Sequence, residues 1–395
     1  MTPPENTIDV AALRADTPGC ASVVHLNNAG AALMPTPVID AIIDHVRLEA
    51  RVGAYEAAAL AHDALEHTYD AVAELIGAQR GEIALVENAT RAWDMAFYSL
   101  PFEPGDRIIT STAEYASNAI ALLQVARRTG AIVDVVPDDE SGQLSLEALE
   151  RTIQDRTRLI AITHVPTQGG LVNPAAEVGA LARAAGVPYL LDACQSVGQM
   201  AIDVNVIGCD FLSATARKYL RGPRGAGFLY VRGEMVGQLE PPFLDLHAAT
   251  WVSEDRYEIQ PGARRFETWE SSAAVRLGMA AAVDYLLALG IEAVEAKITL
   301  LSDRLRDLLA ELPHIDLHDK GARRCGLVSF SDRNRPAEEV AAALRAQAIN
   351  VSVSGPESAR YDFDQRGLGA IVRASVHCYN TDDELDRLVH ALAVG

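Results

Sequence analysis

An acid and an amine stand at the ends of two apolar runs. Residues 187–191 lead into Asp192-Ala193-Cys194-Gln195, and residues 209–212 lead into Ser213-Ala214-Thr215-Ala216-Arg217-Lys218. Short apolar runs bounded by turn residues read as buried strands, which puts Asp192 and Lys218 at strand ends. A carboxylate and a primary amine so placed meet the demands of pyridoxal phosphate. That cofactor needs a Lys amine to condense with its aldehyde and an acid to keep its ring nitrogen protonated. The protonated ring then draws electrons away from a carbanion on the substrate. The same spacing also suits a surface Lys in a basic turn, beside Arg217, Arg221 and Arg224, and an Asp that caps a helix. Spacing alone leaves both readings open.

The surrounding elements bear on the choice. Strand-like runs at 108–109, 132–136, 159–163, 189–191, 211–212 and 228–231 alternate with helical patterns such as 120–128, 146–153 and 175–185. Such alternation predicts an α/β fold with a largely parallel sheet covered on both faces. Ligands of these sheets sit beyond the carboxyl ends of the strands, where Asp192 and Lys218 fall. Glu87-Asn88-Ala89-Thr90-Arg91-Ala92 follows another strand and opens a helix. Its amides and the Thr90 hydroxyl suit a phosphate cradle, and a plain helix cap is the alternative. The glycines from Gly222 to Gly227 precede a strand, so they form no dinucleotide loop.

Beyond Arg264-Arg265-Phe266-Glu267-Thr268-Trp269-Glu270 the pattern changes. Helices are expected at 272–289 and 291–312, strands near 326–330, 350–354 and 371–377, and a closing helix at 382–392. This reads as a smaller α+β domain. The loop 361–369, with mixed charges, is expected to face the substrate. At the other end, residues 1–23 form an arm with one helical stretch, 10–14, before a loop of small residues that includes Asn28, Ala29 and Gly30.

Composition excludes several classes. Among 395 residues, 49% apolar content suits a globular core, and a net charge of −20 repels nucleic acid and anionic membranes. No apolar run reaches spanning length, and residues 1–9 lack a signal pattern. The five cysteines are scattered, and His62 and His67 do not share a helix face, so no disulfide framework or metal site is expected. A reducing cytoplasm is the expected compartment.

Asp-x-x-Gln at 192–195, followed by Lys-x-x-x-Gly-Pro-x-Gly at 218–225, resembles the class V aminotransferase group of fold-type I pyridoxal-phosphate enzymes. The likeness runs from about Leu26 to the last helix. It implies a mostly parallel, seven-stranded type of sheet in a large cofactor-binding domain, residues 24–270, with residues 1–23 and 271–395 forming the small domain. It also implies Lys218 as the catalytic amine and Asp192 at the ring nitrogen. By the same likeness Ala89, Thr90 and Thr215 hold the phosphate, Tyr115 stacks on the ring, and Gln195 and Thr167 lie near the ring oxygen. Arg373, in Arg-x-Ser followed by Tyr-Asn-Thr, matches the arginine that takes the substrate's carboxylate, bidentately. Thr268 matches a residue that reaches the neighbouring subunit's phosphate, which implies a homodimer. Asn28, Ala29 and Gly30 are placed at the substrate, as is Tyr55, in Val52-Gly53-Ala54-Tyr55-Glu56-Ala57-Ala58, a segment similar to one in hercynylcysteine sulfoxide lyase. Desulfurases of the group carry a nucleophilic Cys on a loop that reads here Ser352-Val353-Ser354-Gly355-Pro356-Glu357-Ser358-Ala359-Arg360. Its absence leads to the expectation of a C–S β-lyase acting on an S-substituted cysteine or its sulfoxide, and not of a persulfide-forming desulfurase. An aminotransferase or an epimerase is the alternative.

Overall fold

The computed structural model describes residues 8–394. Its central element is a seven-stranded sheet. In chain order the strands are β1 (Ile83–Val86), β2 (Arg107–Ser111), β3 (Ile132–Val136), β4 (Thr157–Thr163), β5 (Tyr189–Asp192), β6 (Phe211–Thr215) and β7 (Gly227–Val231). Across the sheet they run β1-β7-β6-β5-β4-β2-β3. Only β7 is antiparallel to its neighbours, so the largely parallel sheet expected from the alternation is present.

The period of two explains why both faces are apolar. Ile109, Ile160, Leu191 and Leu212 enter one core, whereas Ile108, Leu159, Leu190 and Phe211 enter the other. Adjacent residues thus bury against opposite helical layers. A residue slip in any central strand would exchange the two sets.

A four-stranded antiparallel sheet forms the smaller unit, from β8 (Ile315–Leu317), β9 (Leu327–Asp332), β10 (Ser352–Ser354) and β11 (Ile371–Ser375), in the order β8-β9-β11-β10. The N-terminal part of the chain packs on it. Val24–His25 pairs in parallel with Ile349–Asn350, and Arg14 meets Glu384 at 2.8 Å. The expected arm helix covers Val10–Ala15, and residues 1–7 lie outside the described residues. No single helix among the described residues is long and apolar enough to cross a membrane.

Two segments differ from expectation. Residues 360–366 form a helix where a loop was expected, capped by Gly367 in the left-handed region at φ 61. Phe363 seals it against Ala359 and Ile371 in a small apolar cluster of its own. One apolar residue among charged neighbours gives no readable period. An exposed hairpin, Ala249–Ser253 with Arg256–Ile259, is likewise unannounced, because its residues face solvent.

Candidate active site

The carboxyl ends of five strands converge on one cavity of about 470 Å³. The turn after β1 contributes Asn88, Ala89 and Thr90, and the segment after β2 contributes Tyr115. Thr163, Val165 and Thr167 come from β4 and its exit, Asp192, Cys194 and Gln195 from β5, and Arg217 and Lys218 from the loop after β6. Asn118 and Arg224 complete the lining.

Two glycines bring these loops into register. At Gly198, φ 94, a Cβ would lie 2.4 Å from the carbonyl carbon of Tyr219, so a side chain there would separate the Asp192 loop from the Lys218 loop. A Cβ on Gly227 would lie 2.6 Å from the Ala214 carbonyl and 3.0 Å from the Asn88 backbone. The bare backbone of β7 therefore lets the Asn88 turn close on the sheet. Helix α1 (Ala89–Phe97) starts there, capped by the Asn88 side chain, which accepts from Arg91 N at 2.9 Å. Its first residues, Ala89 and Thr90, line the cavity, and the positive end of a helix dipole favours an anion there.

Asp192 is buried at the cavity floor. Its Oδ2 accepts from Asn118 Nδ2 at 2.9 Å and its Oδ1 from Cys194 N at 2.9 Å. Burial pushes its carboxyl up, while those donors and the Lys218 charge oppose the shift. Lys218 is buried too and lines the cavity together with Cys194. Gln195 donates to the Ala29 carbonyl at 3.1 Å, leaving its buried Oε1 without a partner.

Arg373 on β11 approaches from the small sheet. Its Nη1 donates to Thr167 O at 2.5 Å and Thr167 Oγ1 at 2.8 Å, and its Nε to Ser352 Oγ at 3.0 Å. All three acceptors are neutral. Among the described residues no carboxylate pairs with this buried guanidinium, whose pKa burial pulls down to about 10. An uncompensated buried cation beside the cavity is suited to a carboxylate ligand.

Other expected residues stand nearby or apart. Asn28 is fully buried, donates to Ser375 O at 2.7 Å and accepts from Tyr379 Oη, so it braces the loop and does not line the cavity. Ala29 and Gly30 belong to that braced loop. Thr215 lies behind the wall, donating to Ala226 O at 3.3 Å and accepting from Arg217 at 3.2 Å. Tyr55 is 76% exposed and outside the cavity, because Gly53 at φ 100 redirects the chain into a short surface helix, Ala54–Leu60. Thr268 lines a separate small cleft with Ser271, Ser272 and Arg276. Its neighbour Glu267 is buried, accepting from Tyr69 Oη at 2.9 Å and Leu85 N at 2.8 Å.

The sequence reading missed Asn88, Asn118 and Cys194. Asn118 had a signal: it lies four residues after Glu114, on one face of the helix start that presents Tyr115.

The class V aminotransferase family pattern matches residues 24–388. The chain belongs to that family. A probable cysteine desulfurase of Methanothermobacter thermautotrophicus is 31% identical over 386 residues, covering 96% of each chain. The apo structure of cysteine desulfurase from Thermococcus onnurineus NA1 superimposes with a TM-score of 0.91 at 28% identity, covering 97% of each chain. A C-DES variant with glycine covalently linked to its pyridoxal-phosphate cofactor shares the fold, with a TM-score of 0.87 at 24% identity over 96% of this chain and 99% of that one.

The class V fold is that of the fold-type I pyridoxal-phosphate enzymes, as the motifs implied, and pyridoxal phosphate is the cofactor of this enzyme. The residues present fit it: a buried amine, a buried acid and a helix start face one cavity, and Gln195 Oε1 lacks a partner. The expected reaction is corrected. Relatives matched along nearly their whole length carry the name cysteine desulfurase, which overturns the expectation that the chain is not a persulfide-forming desulfurase and leaves carbon–sulfur bond cleavage in the broad sense standing. That expectation rested on segment 352–360, in which cysteine is absent, with segment 52–58 in support. Two short segments are a narrower basis than the full chain.

Proposed function

We propose that this enzyme cleaves the carbon–sulfur bond of cysteine and delivers the sulfur to a thiolate acceptor. The full-length likeness to cysteine desulfurases carries the reading, and the cavity supports it. The C–S bond breaks and an S–S bond forms to the acceptor. The proton of the cysteine thiol ends on carbon, so alanine and a persulfide are the products. Pyridoxal phosphate supplies the electron sink for a carbanion at the substrate's α-carbon.

The chain's own residues do the rest. Lys218 would hold the cofactor through its amine, and that amine would move the substrate's α-proton. Asp192 would face the ring nitrogen, Tyr115 would stack on the ring, and Gln195 would offer a hydrogen bond to the ring oxygen. The amides of Ala89 and Thr90 would take the phosphate. Arg373 releases Thr167 to hold the cysteine carboxylate.

The deciding experiment incubates the holoenzyme with L-cysteine and a small thiol and quantifies amino and keto products. Alanine and sulfane sulfur in equal amounts are expected. Pyruvate in place of alanine would overturn the proposal.

A homodimer is part of the same reading. Leu246, Trp251 and Tyr257 are exposed around one surface cleft, and Phe243 and Trp269 are exposed on the same stretch of chain. Exposed aromatics of this size are typical of interfaces. Thr268, apart from its own chain's cavity, would then serve the partner's. Sedimentation equilibrium should give the mass of two chains, and a mass of one chain at micromolar concentration would refute it.

A further inference from the structure

Behind Asp192 lies a second buried acid that the reaction scheme does not use. Glu114 is 1% exposed. Its Oε1 accepts from Thr163 Oγ1 at 2.6 Å, Tyr115 N at 2.8 Å and Asn118 Nδ2 at 2.9 Å. Its Oε2 accepts from Thr110 Oγ1 at 2.8 Å. Backbone and amide N–H groups only donate, so the oxygen facing them has to be an acceptor. The same Asn118 Nδ2 donates to Asp192 Oδ2 at 2.9 Å. One amide group therefore gives both its hydrogens to two carboxylates, Glu114 on one side and Asp192 on the other. Burial raises both carboxyls, and the surrounding donors oppose that rise. Two buried carboxyls are joined through one amide at the cavity floor, and no arginine or lysine is paired to either among the described salt bridges. A cation opposite them would hold both in the ionised form.

We propose that Glu114 and Asn118 are positioning residues that act through Asp192 to keep the cofactor's ring nitrogen protonated. This rests on the reading that Asp192 faces that nitrogen. Asn118 fixes the rotamer of Asp192 and leaves its remaining lone pairs to the ring. Glu114 adds a second negative charge along the same line and locks the Asn118 amide with its N–H groups toward both acids. Helix α2 (Ala116–Thr129) makes this possible, since Glu114 precedes its start and Asn118 lies in its first turn.

The test compares two ligands by equilibrium ultrafiltration with apoprotein. One is pyridoxal phosphate and the other its 1-deaza analogue, in which CH replaces the ring nitrogen. The natural protein should prefer pyridoxal phosphate, and Glu114→Gln should cut that preference about tenfold while binding the analogue as before. Gln retains the shape, its Oε1 keeps the donors of Asn118 and Tyr115, and the Thr110 hydroxyl can turn to accept. Asn118→Ala should cut the preference to a similar extent, and the double variant no further. Equal weakening of both ligands in Glu114→Gln and Asn118→Ala would mean a structural role only and would overturn the proposal. So would an unchanged preference in both variants when Asp192→Asn abolishes it. If Asp192→Asn itself leaves the preference intact, the placement of Asp192 falls first, and the relay with it.

Discussion

Lys218→Ala should lower alanine formation from L-cysteine by about 10⁴-fold, because it removes the amine proposed as both the covalent tether and the proton carrier. Among the described residues no other amine lines the cavity, where the remaining cations are the guanidinium groups of Arg217 and Arg224. Lys218→Arg should be as inactive, since a guanidinium keeps the charge and cannot serve as the nucleophile. Folding should survive either change. Asp192 keeps its bonds from Asn118 and Cys194, so no acid is left without donors. The visible absorption of the lysine-bound cofactor should vanish in both variants, while cofactor held by the helix start and Asp192 should still be retained. A variant with more than a hundredth of the natural rate would remove Lys218 from its assigned role.

The sheet, and the placing of Asp192 and Lys218 at its strand ends, were legible because they depend on short-range patterns. An apolar run of four or five residues makes a buried strand whatever surrounds it, and Asp192 and Lys218 stand at or just beyond such strand ends. Tertiary partners leave no such trace. Asn118 and Asp192 meet across 74 positions of chain, and Arg373 and Thr167 across 206. The helix Arg360–Arg366 was missed for a related reason: only Phe363 is buried hydrophobic in it, so its stability comes from a cluster formed with distant residues. Its Asp362 then accepts from Gln168 at 3.2 Å and from Lys320 at 3.3 Å, which ties the small unit to the cavity rim. The reaction is not legible in segment 352–360, where a single missing side chain stands against a likeness to desulfurases along the whole chain. Function in this family is written in the assembled site, and a sequence supplies only its parts.

Arg373→Ala should act on a different quantity. The proposed substrate would offer this residue a carboxylate, and among the described residues its guanidinium has only neutral partners, Thr167 and Ser352. Truncating one member of a buried, hydrogen-bonded charge pair costs about 2–5 kcal/mol, or about 30- to 4,000-fold in kcat/KM. Most of that loss should appear in KM, because the carboxylate contact is made equally in the ground and transition states. Arg373→Lys should recover only part of it, lacking the fork that engages both oxygens. The control is cysteamine, which is cysteine without its carboxylate. If Arg373 reads the carboxylate, the natural enzyme and Arg373→Ala should turn over cysteamine at similar, low rates. A comparable loss on cysteamine would show that Arg373 supports the fold of the rim through Thr167, and the carboxylate would need another partner.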